Sequence, residues 1–420
     1  MAGKRLGVGI VGCGEISVAH HRAYAGLPDH VELVALADVV EPAARRRAAE
    51  FGVAAVYTDY HDLLVDPRVD VVAICTPHHL HAPVAIAAAE AGKHVLVEKP
   101  MAMNVGEVHE MVEVARRGGV KLTVSSEVVN PRHRFIKERV LPEIGPIAFS
   151  YLVDFYYRDT AYYEKARWRG TWAREGGGVF INQAIYTWDP YQWLLGGVEW
   201  AYGYWTNLLH PNTEVEDIGY GLVKFRNGTH GKLFATSVCQ APEGTRWMSI
   251  QGSAGEVFSV KPWLYELDFA LADRAKEVRL RAELQAHLAG LTGPGYEGWD
   301  DSHARRVQLQ MRDIVEAVWE ERPVRISPES CGEPMKILNG IHWHGWNHAD
   351  AFRAWAYQSF DLPRPTGRSP LPTVDDAART DWRGGQLVQR LVGIVKDPSP
   401  ALEAPFLPDH RPRVPSPGAP

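Results

Sequence analysis

The sequence predicts an α/β chain, with a doubly wound parallel sheet first and a large, open, mostly antiparallel sheet after it. Short apolar runs alternate with helix-like stretches between residues 5 and 126. A glycine-rich turn follows the first of these runs. After Gly145 the runs become longer and richer in β-branched and aromatic residues.

In order, the first-half runs are residues 5–11, 31–37, 69–75, 94–97 and 121–124. Runs so uniformly apolar suit strands buried on both faces of a parallel sheet. Between them, residues 42–51, 82–91 and 105–117 read as helices, the last with Val105, Val108, Met111, Val112 and Ala115 on one stripe. Gly52, Gly92 and Gly118 stand where a helix closes on a left-handed cap. Strand–helix alternation of this kind implies a doubly wound domain.

Residues 147–157, 200–207, 219–225, 231–238 and 247–251 read as the strands of the second sheet, with Arg226-Asn227-Gly228 as a hairpin turn. Val307, Met311, Ile314 and Val318 mark a later amphipathic helix. The expected division is 1–126, 127–362 for substrate binding and oligomerisation, and a proline-rich extension over 363–420.

The 420 residues hold 45 Lys and Arg against 51 Asp and Glu, a net charge of -6. No excess of cations exists to neutralise phosphates, which argues against nucleic acid as a partner. Cys13, Cys75, Cys239 and Cys331 lie far apart, without the spacing of a disulfide framework or zinc knuckle. No apolar run is long enough to span a membrane. A cytoplasmic protein is expected.

The strongest local signal is Gly12-Cys13-Gly14-Glu15-Ile16-Ser17, directly after the first strand. Gly12 permits a tight turn, and Gly14 lets the backbone approach a pyrophosphate at a helix N-terminus. Asp38 ends the second strand, where a carboxylate binds a ribose 2'-hydroxyl and repels a 2'-phosphate. Val39 and Val40 supply no offsetting cation, so NAD is expected over NADP. Thr76-Pro77 and His81 follow the run ending at Cys75 and should border the cofactor. His78, His79 and His81 lack a carboxylate at ligand spacing, so no metal is expected there. Glu98-Lys99-Pro100 ends the next run. Lys99 beside a cationic nicotinamide would have its pKa lowered, becoming fit to polarise a substrate oxygen or relay its proton.

Gly12 to Ile16, Asp38, Thr76-Pro77 with His81, and Glu98-Lys99-Pro100 together resemble the Gfo/Idh/MocA oxidoreductases. The resemblance continues through Trp168-Arg169-Gly170-Thr171-Trp172, the stretch from Gly176 to Tyr186, and Val215-Glu216-Asp217. It implies an N-terminal Rossmann fold, a C-terminal domain with an open sheet, and hydride transfer to or from a sugar or cyclitol. It also implies that Lys99 is the active-site lysine, and that Trp168, Arg169 and Ser125 contact the cofactor. Where the family commonly carries Asp or Asn, then His four residues on, this chain has Asn182 and Tyr186. Spacing of i, i+4 would put both on one helix face. A phenol titrates near 10 when free, but two neighbouring positive charges would favour phenolate and let Tyr186 take a proton. Asn182 cannot accept one. Asp189 is either a partner of Tyr186 or an ordinary polar contact.

Glu127 would bind sugar hydroxyls or cap the sheet. The His/Trp-rich segment 342–348 is a second candidate for the pocket, since indole rings stack on sugars. The expected function is an NAD(H)-dependent oxidoreductase acting on a sugar, glycoside or cyclitol. Two alternatives share its motifs: an NAD-dependent glycosidase working by transient oxidation and elimination, and a non-catalytic sugar or dinucleotide sensor. The family's open sheet implies a homodimer or homotetramer.

Overall fold

The computed structural model describes residues 4–239, 246–259, 267–290 and 303–359, with side chains as far as Gly345. Strands β1 (Leu6–Val11), β2 (Val31–Ala37), β3 (Ala55–Tyr57), β4 (Val71–Ile74), β5 (His94–Val97) and β6 (Leu122–Val124) form one sheet in the order β3-β2-β1-β4-β5-β6. Every neighbouring pair is parallel. Helices α1 (Ile16–Ala25), α2 (Glu41–Phe51), α3 (Tyr60–Leu64), α4 (His81–Glu90) and α5 (Val105–Gly118) make the connections. This is the doubly wound arrangement that the alternation predicts. β3 and α3, of three and five residues, are too short to leave a periodic signal. The cap of α5 also falls one residue later than expected, on Gly119 with φ +65°.

The second sheet contains β7 (Ile147–Phe155), β8 (Val198–Thr206), β9 (Ile218–Phe225), β10 (His230–Thr236), β11 (Arg246–Gly252), β12 (Gly255–Ser259) and β13 (Leu267–Leu271). Their order is β13-β12-β11-β7-β10-β9-β8, and among these pairs only β7 and β10 run parallel. β9 and β10 are the expected hairpin, turned at Gly228 with φ +87°. Helices α6 (Pro131–Phe135), α7 (Thr160–Glu164), α8 (Ile185–Leu195), α9 (Arg274–Ala289), α10 (His303–Trp319) and α11 (Pro328–Ser359) complete the described chain.

Two of these helices depart from a linear division of the chain. α10 returns to the first domain, where Val307, Met311, Ile314 and Val315 are fully buried in one cluster with Val8, Ile10 and Leu36. Each such side chain contributes about 1.5–3 kcal/mol of burial, and Gln308 Nε2 ties the helix to Gly26 O at 2.9 Å. A boundary at residue 126 therefore omits a helix that completes the Rossmann layer. α11 lies so close over β8 that a Cβ on Gly340 would stand 2.3 Å from Ala201 O. The 342–348 segment belongs to this helix. His342 is buried against Trp172, Trp205 and Phe180, as core rather than pocket lining, and the side chains of Trp346, Asn347 and His348 lie outside the described residues, as does the proline-rich extension.

Candidate active site

Backbone bonds extend the first sheet one residue beyond its strands. Gly12 N donates to Ala37 O at 2.8 Å, Glu98 N to Ile74 O at 3.0 Å, and Ser125 N to Val97 O at 2.8 Å. Gly12, Glu98 and Ser125 are thereby brought to one carboxyl edge, where doubly wound sheets bind ligands. Gly12 has φ +98°, and a Cβ there would lie 2.6 Å from Cys75 O. Gly14 instead faces open space, so no protein neighbour explains its missing side chain. Asp38 accepts from Cys13 N through Oδ2 and from Val40 N through Oδ1, each at 2.8 Å. It thus joins the end of β2 to the glycine turn. The hydroxyls of Thr76 and Ser125 are buried and bond to no partner among the described residues. Open space beside a glycine, a placed carboxylate and two unsatisfied hydroxyls fit a dinucleotide. Glu15 is wholly exposed at the start of α1, next to Ile16. His81 holds Pro100 O at 2.7 Å and Thr76 O at 2.9 Å with its two ring nitrogens, and it is buried. Its ring is therefore committed to the two loops that it braces.

Glu98 is buried beneath this edge. Its Oε1 lies 2.8 Å from His20 Nε2 and 2.7 Å from His303 Nε2, and its Oε2 accepts from Lys99 N at 3.2 Å. Burial alone would raise this carboxyl, but the two histidines outweigh it and hold Glu98 well below the usual carboxylate range. His20, Glu98 and His303 are residue types that bind metals. However, the guanidinium of Arg306, a donor only, points at His303 Nδ1 from 3.3 Å. His303 must then carry its proton on Nε2, which commits that atom to Glu98 and leaves no lone pair for an ion.

Lys99 is half-buried, and its Nζ donates to Asn182 O at 2.9 Å while lying 4.2 Å from the centroid of the Tyr186 ring. Burial pulls its pKa down to about 8, with Tyr162, Glu98 and Glu175 acting upward and Arg169 downward. The expectation of a lowered lysine is met chiefly by burial, with Arg169 adding to it. The matching expectation for Tyr186 is not met. Burial, with Glu98 and Glu127 nearby, pushes its phenol up, against Arg306. The reason is geometric: the Lys99 ammonium covers the face of the ring rather than its oxygen. Among the described residues, no protein group bonds that hydroxyl. It borders a recess lined also by Lys99, Ser125, Ser126, Glu127 and Asp189. Asp189 is no partner of Tyr186; it bonds Ser126 Oγ and Gln192 Nε2.

Asn182 and Tyr186 do not sit on one regular α-helix, as i, i+4 spacing implies, but either side of a change of helix type. Phe180–Ala184 form a π-helical turn, wider than an α-helix, before α8 begins. The Asn182 side chain reaches Glu175 and the Tyr162 hydroxyl, the latter at 3.1 Å, while Tyr186 packs on Lys99. The preceding glycines are needed for close approach: a Cβ on Gly178 would stand 1.8 Å from Glu216 O. Arg169 donates to the Tyr162 hydroxyl, and its guanidinium lies 4.7 Å from the Trp168 ring, which in turn packs against His78 at 4.8 Å. Glu127 is buried and paired with Arg306 at 2.9 Å. Sequence reasoning missed Tyr162, Glu175, His303 and Arg306. Only Glu175 leaves a local signal, an acid directly before three glycines.

A Rossmann domain with a glycine turn and a placed acid, completed by a second domain that brings Tyr186 and Asn182 to the same edge, has the form of a two-domain dinucleotide-binding protein. Residues 6–126 match the profile described as "Oxidoreductase family, NAD-binding Rossmann fold", and residues 143–258 match the "GFO/IDH/MocA C-terminal domain". The chain belongs to the Gfo/Idh/MocA oxidoreductase family. It is 30% identical over 229 residues to the uncharacterized oxidoreductase YrbE of Bacillus subtilis, covering 54% of this chain and 65% of that one. It is 30% identical over 190 residues to myo-inositol 2-dehydrogenase of Thermotoga maritima, covering 45% and 54%. It therefore spans less than two thirds of the length of these two curated relatives. Among solved structures, the WlbA dehydrogenase of Bordetella pertussis, in complex with NADH and UDP-GlcNAcA, superposes with a TM-score of 0.71 at 26% identity, covering 83% of this chain and 97% of that one. Levoglucosan dehydrogenase, at 22% identity and a TM-score of 0.70 over 81% and 97%, shares the fold.

Proposed function

We propose that the protein is an NAD(H)-dependent oxidoreductase moving hydride between nicotinamide and a hydroxyl-bearing carbon of a sugar, glycoside or cyclitol. The observation that carries this reading is Lys99, with a pKa near 8 and Tyr186 against it, at the edge where Gly14, Thr76 and Ser125 leave room and unsatisfied groups. Relatives named for myo-inositol and levoglucosan support the substrate class.

The glycine turn, Asp38, Thr76, Ser125, Trp168 and Arg169 would hold NAD, which supplies the hydride-accepting chemistry when bound. Lys99 exchanges the proton of the substrate oxygen. As neutral amine it takes the hydroxyl proton in oxidation, and as ammonium it returns one to a carbonyl in reduction. Tyr186 keeps its proton and donates a hydrogen bond to the same oxygen, a role its raised pKa suits. Glu98 stays ionised beneath Lys99 and supports the ammonium. The test is incubation with NAD and a panel of sugars, glycosides and inositols, following NADH absorbance and product mass. Bound NAD without turnover of any panel member would overturn the reading.

We also infer a homo-oligomer built on the outer face of the second sheet. Tyr202, Tyr220, Leu222 and Trp247 are 38–51% exposed there, an apolar patch of the kind that marks interfaces. Light scattering showing a monomer at micromolar concentration would exclude it. No described helix is long and apolar enough to cross a membrane, and four free cysteines suit a reducing compartment, which supports a cytoplasmic location.

A further inference from the structure

We propose that Glu175 is a positioning residue of this site, fixing Asn182 and, through that residue's carbonyl, the ammonium of Lys99. The proposal rests on the reading of Lys99 as the proton-exchanging group. Glu175 is fully buried, directly before Gly176, Gly177 and Gly178. Its Oε1 accepts from Asn182 Nδ2, and its Oε2 accepts from Gly170 N. Asn182 O in turn accepts from Lys99 Nζ at 2.9 Å. The carboxylate thus stands one residue behind the lysine.

The chemistry of the two partners suits an acid. Both present N–H groups to the side chain at 175, so a carboxylate satisfies both at once, whereas a glutamine does so only if the Asn182 amide turns its oxygen to it. A buried carboxylate is otherwise costly, and no residue supplies it with a salt bridge within 4 Å among the described ion pairs.

The charged and titratable groups that face this pair are few. Around Lys99 stand Glu98, Tyr162, Arg169, His78, His81 and the Tyr186 ring. Around Glu175 stand Arg169 and Glu216, with Tyr163 nearby and His78 Nδ1 on its backbone carbonyl at 2.9 Å. Burial lifts Glu175 to about 7, opposed by its two hydrogen bonds and Arg169. Its ionised form supports the Lys99 ammonium, so the two groups titrate in adjoining ranges.

Trace labelling of the unliganded protein with a water-soluble N-hydroxysuccinimide ester, read on the Lys99 peptide by mass spectrometry, tests this without cofactor or substrate. Glu175→Gln should raise Lys99 labelling at pH 7 by about twofold, because the anion, carried by roughly half the molecules at that pH, no longer favours the ammonium. Its kcat should fall about 10- to 100-fold with unchanged NAD affinity. Glu175→Asp keeps the charge but withdraws it by one methylene. It should keep labelling at the wild-type level while kcat still falls. Wild-type labelling, or wild-type kcat, in folded Glu175→Gln overturns the proposal; should that variant not fold, wild-type kcat in Glu175→Asp does so. A protein that binds NAD yet turns over no panel substrate refutes the dehydrogenase reading, and the labelling comparison still decides whether Glu175 holds Lys99.

Discussion

Arg306 Nε, on α10, lies 2.9 Å from Glu127 Oε1 at the end of β6, and the two side chains are 8% and 4% exposed. One turn earlier on the same helix, His303 Nε2 lies 2.7 Å from Glu98 Oε1 at the end of β5. A single helix from late in the chain therefore clasps the acids that follow two adjacent strands. Glu127, expected as a contact for sugar hydroxyls, has its charge committed to this pair.

Breaking the clasp should be costly. Arg306→Met leaves a buried carboxylate without its cation, and such losses destabilise by about 3–5 kcal/mol. Arg306→Met with Glu127→Gln should recover much of that loss. Urea denaturation of both variants measures it; equal stability of the single and double variants would mean that the pair is not coupled.

Glu98 makes stability depend on pH. Its folded pKa lies below the ordinary carboxylate value, so the contribution is present above that value and is lost as pH falls. Glu98→Gln should flatten the acid side of the stability curve. A wild-type slope in that variant, measured by denaturation between pH 7 and 3, would assign the acid sensitivity elsewhere.

Asp38 should set cofactor choice. NAD should bind much more tightly than NADP by calorimetry, and Asp38→Ala should narrow the gap. Because Asp38 also accepts from Cys13 N and Val40 N, the variant should weaken both dinucleotides through a looser glycine turn. Equal wild-type affinities for the two would remove the ribose assignment.

Lys99→Met should leave NAD affinity largely intact and lower turnover at least about 100-fold. In the wild type, oxidation should accelerate as pH rises through about 8, when Lys99 loses its proton. That limb should be absent from whatever activity the variant retains. A folded Lys99→Met enzyme with near wild-type turnover would return this lysine to a structural role.

Tyr186→Phe should change stability little, since its hydroxyl bonds to no described protein group and the ring is kept. Turnover should fall about 10²- to 10⁴-fold, with the limb near pH 8 retained because it belongs to Lys99. Tyr186→His alone should restore little, and adding Asn182→Asp should make matters worse. The Asn182 amide donates to Glu175, so an aspartate would set two carboxylates against each other. Full activity in Tyr186→Phe would leave the phenol a packing role.

Five of the six Rossmann strands, the Gly12–Gly14 turn, Asp38 and Lys99 were legible in the chain, because each depends on neighbours in sequence. Apolar runs, glycines after a strand and an acid at a strand end are local patterns, and a parallel sheet brings strand ends together whatever the detail. The hairpin at Gly228 was legible for the same reason. What only the tertiary structure decided lies where distant segments meet. His303 meets Glu98 across 205 residues, and no periodicity in α10 says which of its polar positions face acids. Phe180–Ala184 wound as a π-helical turn, and the Asn182 amide met Glu175, seven residues back in the chain. The protonation of Tyr186 turned on where the Lys99 charge lay relative to one oxygen, over the ring rather than beside it. Charge–charge energies depend on distances of a few ångströms through partly dry protein, and sequence spacing holds no record of those.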